Sequence, residues 1–205
     1  MQREHTTKLV ISAMMISLAT VLSEIKLDAV FGGGVTLFSM VPVLAIGLLF
    51  GVRWGFGASL AYSVIQLLFG LDNATYLQGF FPIFAMLLLD YILAYTVLGF
   101  AGFFKLEDDD TAKTGAVKVT LAAVVGCAMR YICHVITGLF IWNSITSTDL
   151  STMEFPWGST LDLRVLPYSL VYNGWYMAIE LVLSVVALIA LRTLLCKLRA
   201  QMLDE

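Results

Sequence analysis

Residues 126–144 read GCAMRYICHVITGLFIWNS, a run apolar enough to cross a bilayer that nonetheless carries Arg130, His134 and Trp142. An ionisable side chain at membrane depth is costly to bury and marks a functional site by default. This one stretch implies a membrane helix with something to hold.

Composition agrees with a membrane class. The 205 residues are 60% hydrophobic and 13% charged, with a mean hydropathy of +0.89, whereas about 25% of an ordinary soluble domain is charged. The length suits a single membrane domain over residues 1–205. A net charge of -3 without a broad basic face excludes nucleic acid as an expected partner. Cys127, Cys133 and Cys196 lack metal-ligand spacing and read as small core residues. No small-x-small cleavage site follows LVISAMMISLATVLS, so it reads as a retained first helix.

Splitting the apolar runs at charged or Gly/Pro-rich stretches predicts an all-α integral membrane bundle of six helices, at 8–28, 39–51, 54–70, 77–104, 114–143 and 165–198. The second and third are short and should form a tight hairpin. FGGGVTLFS, at 31–39, is too glycine-rich for a helix and predicts an irregular loop. The long polar connection 143–164 would cover one mouth of the bundle. An even number of spans puts both termini on one side, together with Arg3, Lys8, Arg53, Lys105, Lys113, Lys118, Arg192, Lys197 and Arg199. The opposite loops carry Lys26 and Arg164, so both termini are expected in the cytoplasm.

Helical rise sets the depth of the polar groups. His134 falls about 12 Å and Arg130 about 18 Å below Trp142, with Glu180 about 18 Å below Tyr168. Arg130 and Glu180 therefore share a level, which favours an ion pair over ligand contact. Arg130, His134 and Gly138 follow i, i+4, i+8 spacing and line one face, which Trp142 can roof. Asp90 lies at a similar depth to His134, followed by Tyr91 and, a turn later, Tyr95. YSLVYNGWY adds Tyr168, Tyr172, Asn173, Trp175 and Tyr176. Aromatic rings with one carboxylate suit a flat cationic ligand. The plain alternative, interfacial anchoring, applies to Trp157, Trp175 and Tyr176.

Other chemistries lack their motifs. No P-loop is present, GASLA at 57–61 lacks the second glycine of a nucleophile elbow, and His134 has no H-E-x-x-H around it. No metal site and no cofactor are expected. On the first helix, Ala13 and Ser17 are small residues four apart, with Ser12, Ala19 and Ser23 nearby. Such a strip lets a partner helix approach closely, or packs within the bundle.

The order of GGGVTLFSMVPVL, LLLDYILAYTVLGFAG, RYICHVITGLFIW and YSLVYNG resembles the thiamine-specific S component of energy-coupling factor transporters. The resemblance runs from the first helix to Asn173. It implies a high-affinity vitamin-binding subunit of the bacterial cell membrane and not an enzyme. It places the ligand on Asp90, Tyr91, His134, Trp142, Tyr168 and Asn173, with Asp90 at the aminopyrimidine and Trp142 stacked on the rings. Arg130, Tyr76, Glu180 and Tyr172 would support the pocket. The implied partners are a membrane coupling subunit, docking on Ala13 and Ser17, and two cytoplasmic ATPases that consume the ATP. The chain departs from the family pattern in three places. Glycines surround Gly33 where some members have a first-loop aromatic. Phe80 replaces a tyrosine, with Tyr76 one turn earlier. Asp90 stands for a glutamate. The competing readings are an S component for another vitamin or a thiamine-related pyrimidine, and an intramembrane enzyme using Asp90 and His134.

Overall fold

The computed structural model describes residues 2–28, 34–142 and 165–203. Within them the chain forms helices α1 (Gln2–Glu24), α2 (Met40–Phe50), α3 (Val52–Phe69), α4 (Phe80–Phe104), α5 (Ala112–Phe140) and α6 (Val165–Leu203). Four of these, α1, α4, α5 and α6, are long and apolar enough to cross a membrane. The six-helix expectation holds, with boundaries moved by up to six residues.

The two remaining helices are short for different physical reasons. Helix α2 has 11 residues, and Met40 through Leu49 are all buried. A helix that is apolar all round belongs inside a bundle, where protein replaces lipid around it. Its Met40, Leu44 and Leu48 join Leu98, Val119 and Leu188 in the main core. Helix α3 carries a polar inner face, Ser59, Tyr62, Ser63 and Gln66, all buried. One residue, Gly51, turns α2 into α3 at φ 85°, a left-handed conformation open to glycine. The predicted tight hairpin is therefore present.

The polar face of α3 is matched by α1. Trp54 Nε1 donates to Ser12 Oγ at 2.8 Å, Gln66 Nε2 donates to Ser23 Oγ at 2.8 Å, and the Tyr62 hydroxyl donates to the Ala19 carbonyl at 3.4 Å. These contacts divide the small-residue strip. Ser12, Ala19 and Ser23 are buried within the bundle, while Ala13 and Ser17 lie on the exposed face beside Val10, Met14, Leu18 and Val21. The outward face is apolar and the polar groups point inward, as a lipid solvent requires.

Two corrections concern the first connection, between α1 and α2. Helix α1 ends at Glu24, not at residue 28, and Lys26–Asp28 pairs antiparallel with Gly34–Thr36 as strands β1 and β2. The expected irregular loop thus contains a short hairpin, because Lys-Leu-Asp and Gly-Val-Thr can satisfy their backbone groups on each other. Gly32, Gly33, Trp157 and the connection 143–164 lie outside the described residues.

Both ends of the chain meet on one side of the bundle. Glu4 and Lys8 of α1, Phe50, Lys105 and Arg199 of α6 line a common cleft. The strand hairpin and the ends of α3 and α5 lie at the opposite side of the bundle. It is a multi-pass membrane protein.

Candidate ligand-binding site

On the hairpin side, α4, α5 and α6 enclose a cavity of about 500 Å³. Its wall includes Asp90, Tyr91, His134, Trp142, Tyr168 and Asn173, the six residues expected at the ligand, together with Arg130, Tyr76 and Tyr172 of the supporting set. Glu180 does not line the cavity. It pairs with Arg130 at 2.7 Å behind the wall, as their matched depth predicts. Phe80 stays exposed outside, whereas Tyr76, at the end of a separate 3₁₀ segment (Leu71–Tyr76) and not on the same helix as Phe80, lines the wall while remaining largely exposed.

Asp90 sits at the centre of a hydrogen-bond cluster. Its Oδ1 faces His134 Nδ1 at 2.8 Å and also accepts from the Thr137 hydroxyl, while Oδ2 accepts from Trp142 Nε1 at 3.0 Å. A carboxylate has about four acceptor positions, so Oδ2 retains capacity for one more donor. The partners of Asp90 are a hydroxyl and a ring nitrogen of α5 and the indole nitrogen just beyond that helix. With Nδ1–H donating to Asp90, a neutral His134 presents Nε2 as an acceptor, and that atom is buried with no partner among the described residues.

Local winding explains how α4 offers three groups at once. Asp90 and Tyr95 are five residues apart, which on an α-helix places them about 140° apart. Residues 87–93 instead form a π-helical segment. Bonding to the fifth residue brings positions five apart onto one face, and such segments recur at functional sites. Asp90, Tyr91 and Tyr95 consequently all line the cavity. Tyr91 in turn needs Gly70, since a Cβ there would lie 2.0 Å from the Tyr91 ring. Asn73 Nδ2 donates to the Tyr91 hydroxyl at 2.5 Å and fixes it.

The floor is an ionic strut. Arg130 Nη1 donates to Glu180 Oε2 at 2.7 Å, and Nη2 donates to the Tyr95 hydroxyl at 3.1 Å. Its guanidinium carbon also stands 4.5 Å from the Tyr95 ring centroid. Glu180 Oε1 accepts from the Thr36 amide at 3.0 Å and from the Thr36 hydroxyl at 2.7 Å. The strand hairpin is thereby tied to the cavity floor. Helices α5 and α6 are joined by Asn173, whose Nδ2 donates to the His134 carbonyl at 3.3 Å and to the Ser169 carbonyl at 2.9 Å, while Oδ1 accepts from the Tyr176 hydroxyl at 2.8 Å. Tyr168 and Tyr172 stack with centroids 5.7 Å apart.

Several wall residues were not assigned from the sequence: Tyr95, Tyr176, Asn73 and Ser169. Tyr95 and Tyr176 were visible as aromatics but lacked a signal that turned them inward. Asn73 lies in a 3₁₀ turn after α3, where no periodicity operates. No group of three His, Cys, Asp or Glu side chains suited to a metal occurs among the described residues.

The sequence pattern of the thiamine transporter protein family matches residues 9–200. The thiamine transporter ThiT of Bacillus subtilis (strain 168) is 28% identical over 195 residues, covering 91% of each chain. A solved structure of ThiT from Listeria monocytogenes superposes with a TM-score of 0.72 over 95% of this chain and 98% of that one, at 23% identity, and so shares the fold. These relatives are transporters by name, not enzymes, which sets aside the intramembrane enzyme reading. Since the family pattern extends over all six helices, the chain belongs to the thiamine transporter protein family.

Proposed function

We propose that the chain is the thiamine-binding S component of an energy-coupling factor transporter, with the cavity open to the outside and both termini in the cytoplasm. The observation that carries this reading is the Asp90 carboxylate, oriented by Trp142, His134 and Thr137 on the wall of a cavity rich in aromatic rings. Thiamine joins an aminopyrimidine to a cationic thiazolium ring. The exocyclic amine suits the remaining acceptor position of Asp90 Oδ2 and the unpartnered His134 Nε2. Flat rings suit stacking on Trp142 and the Tyr168–Tyr172 pair, and the positive ring gains from the tyrosine faces. The cavity volume falls within the range of about 300–1,000 Å³ typical of small-molecule sites.

Uptake requires energy that this chain has no motif to collect. In the proposed assembly a membrane coupling subunit packs on the exposed Ala13–Ser17 face of α1, and two cytoplasmic ATPases hydrolyse ATP. Purified chain incubated with radiolabelled thiamine should retain it at about one per chain and release it chemically unchanged. Equal retention of a thiamine-related pyrimidine without the thiazolium ring would shift the assignment to a precursor transporter. No retention of either would sink it.

A further inference from the structure

We propose that the cleft at the terminal side of the bundle is a phosphate-binding site, filled by the headgroup of an anionic phospholipid. The cleft has a volume of about 110 Å³ and is walled by α1, the end of α2, the residue after α4, and α6. Lys8, Lys105 and Arg199 reach it from three different elements, and Glu4 is the carboxylate in its wall.

Arg199 is the decisive group. Its side chain is 9% exposed, and its Nη2 and Nε face Glu107 at 2.5 Å and Asp108 at 3.5 Å. Neither of those carboxylates lines the cleft. The remaining Nη1 is buried with no hydrogen-bond partner among the described residues. A charged donor left unmatched in the interior is costly, so an acceptor is expected there. Glu4 is engaged by Lys8 at 2.5 Å, and Lys105 stands 3.9 Å from Glu107 and is partly exposed, free to swing toward an anion.

Phosphate fits this set better than a larger ligand. The unpartnered Nη1 of Arg199 and the partly exposed Lys105 ammonium supply donors suited to its oxygens. At about 110 Å³ the cleft falls below the range of about 300–1,000 Å³ typical of small-molecule sites, which favours a small anionic group over a whole nucleotide. The cleft lies beside the first turns of α1, the end of α2 and the residue after α4, and basic pockets between the ends of membrane helices bind anionic lipid headgroups.

The test follows thermal unfolding of the full chain in neutral detergent, with added phosphatidylglycerol, added phosphatidylcholine, or inorganic phosphate. Phosphatidylglycerol should raise the midpoint by several degrees and zwitterionic phosphatidylcholine should not. Arg199→Gln should abolish the rise, and Lys105→Gln should at least halve it. The lysine variant guards against misreading, because it leaves the Arg199 ion pairs in place. An undiminished rise in both variants overturns the site. An equal rise with millimolar inorganic phosphate, lost in the same variants, supports the phosphate site and overturns the lipid as its source.

Discussion

Asp90 illustrates how a partly buried carboxylate is held by donors on three other side chains. Its acceptors are shared among a hydroxyl and two ring nitrogens, all uncharged when His134 is neutral. The carboxylate is therefore held in place with its negative charge available to a cation. Asp90→Asn removes that charge, and Trp142→Ala removes both a donor and a ring. Each should weaken thiamine binding at least tenfold, or about 1.4 kcal/mol, measured by equilibrium retention. Wild-type affinity in both would take them out of the site. Arg130 belongs to a different account, since its charge is spent on Glu180 and Tyr95. Removing one partner of a buried pair costs about 3–5 kcal/mol, while replacing both with apolar groups can be close to neutral. Glu180→Gln should accordingly unfold at a lower temperature than the double variant Arg130→Met/Glu180→Leu. If the single variant matches wild type, Arg130 has another counter-ion.

Among the elements, the π-helical segment and the glycine beside it are the devices that shape the wall. Gly70→Ala should displace the Tyr91 ring and weaken thiamine binding with little change in helix content by circular dichroism. Unchanged affinity would show that Tyr91 is not a contact. The loop after α4 makes its own prediction. Arg199 holds the Glu107 carboxyl below its usual range through their hydrogen bond. The unfolded chain then binds the proton more readily, so this pair stabilises the fold above the ordinary glutamate range and loses its effect as pH falls through the lowered value. Glu107 is largely exposed, so the effect is at most about 1 kcal/mol. Unfolding midpoints from about pH 6 down to about pH 3 should fall less steeply in Glu107→Gln than in wild type. Parallel curves would contradict this linkage.

The sequence disclosed these elements unevenly. The i, i+4 series Arg130–His134–Gly138 was readable because α5 keeps regular winding over 29 residues. Tyr95 was not, because its inward position depends on the π segment, which changes the angular period inside a run of similar apolar residues. The β1–β2 hairpin escaped notice because strands of three residues carry too little alternation to distinguish them from loop. The Thr36–Glu180 contact escaped for another reason. It spans 144 positions of sequence, and no local pattern reports it.

The bundle as a whole places two differently built surfaces at opposite ends of one set of helices. The aromatic cavity lies beside the hairpin, and the basic cleft lies beside the termini. The exposed Ala13–Ser17 face of α1 connects the two levels along the outside. Ala13→Trp should block assembly with the coupling subunit in co-purification while leaving thiamine binding intact. Loss of both would indicate misfolding, and normal assembly would remove this face from the docking surface. The central claim, that the aromatic cavity takes thiamine against Asp90 and Trp142, is tested most directly by titrating purified chain with thiamine while following intrinsic tryptophan fluorescence. The account predicts saturable quenching at micromolar ligand in the wild type and most of that signal lost in Trp142→Phe. A flat titration in the wild type, or undiminished quenching in Trp142→Phe, would contradict it.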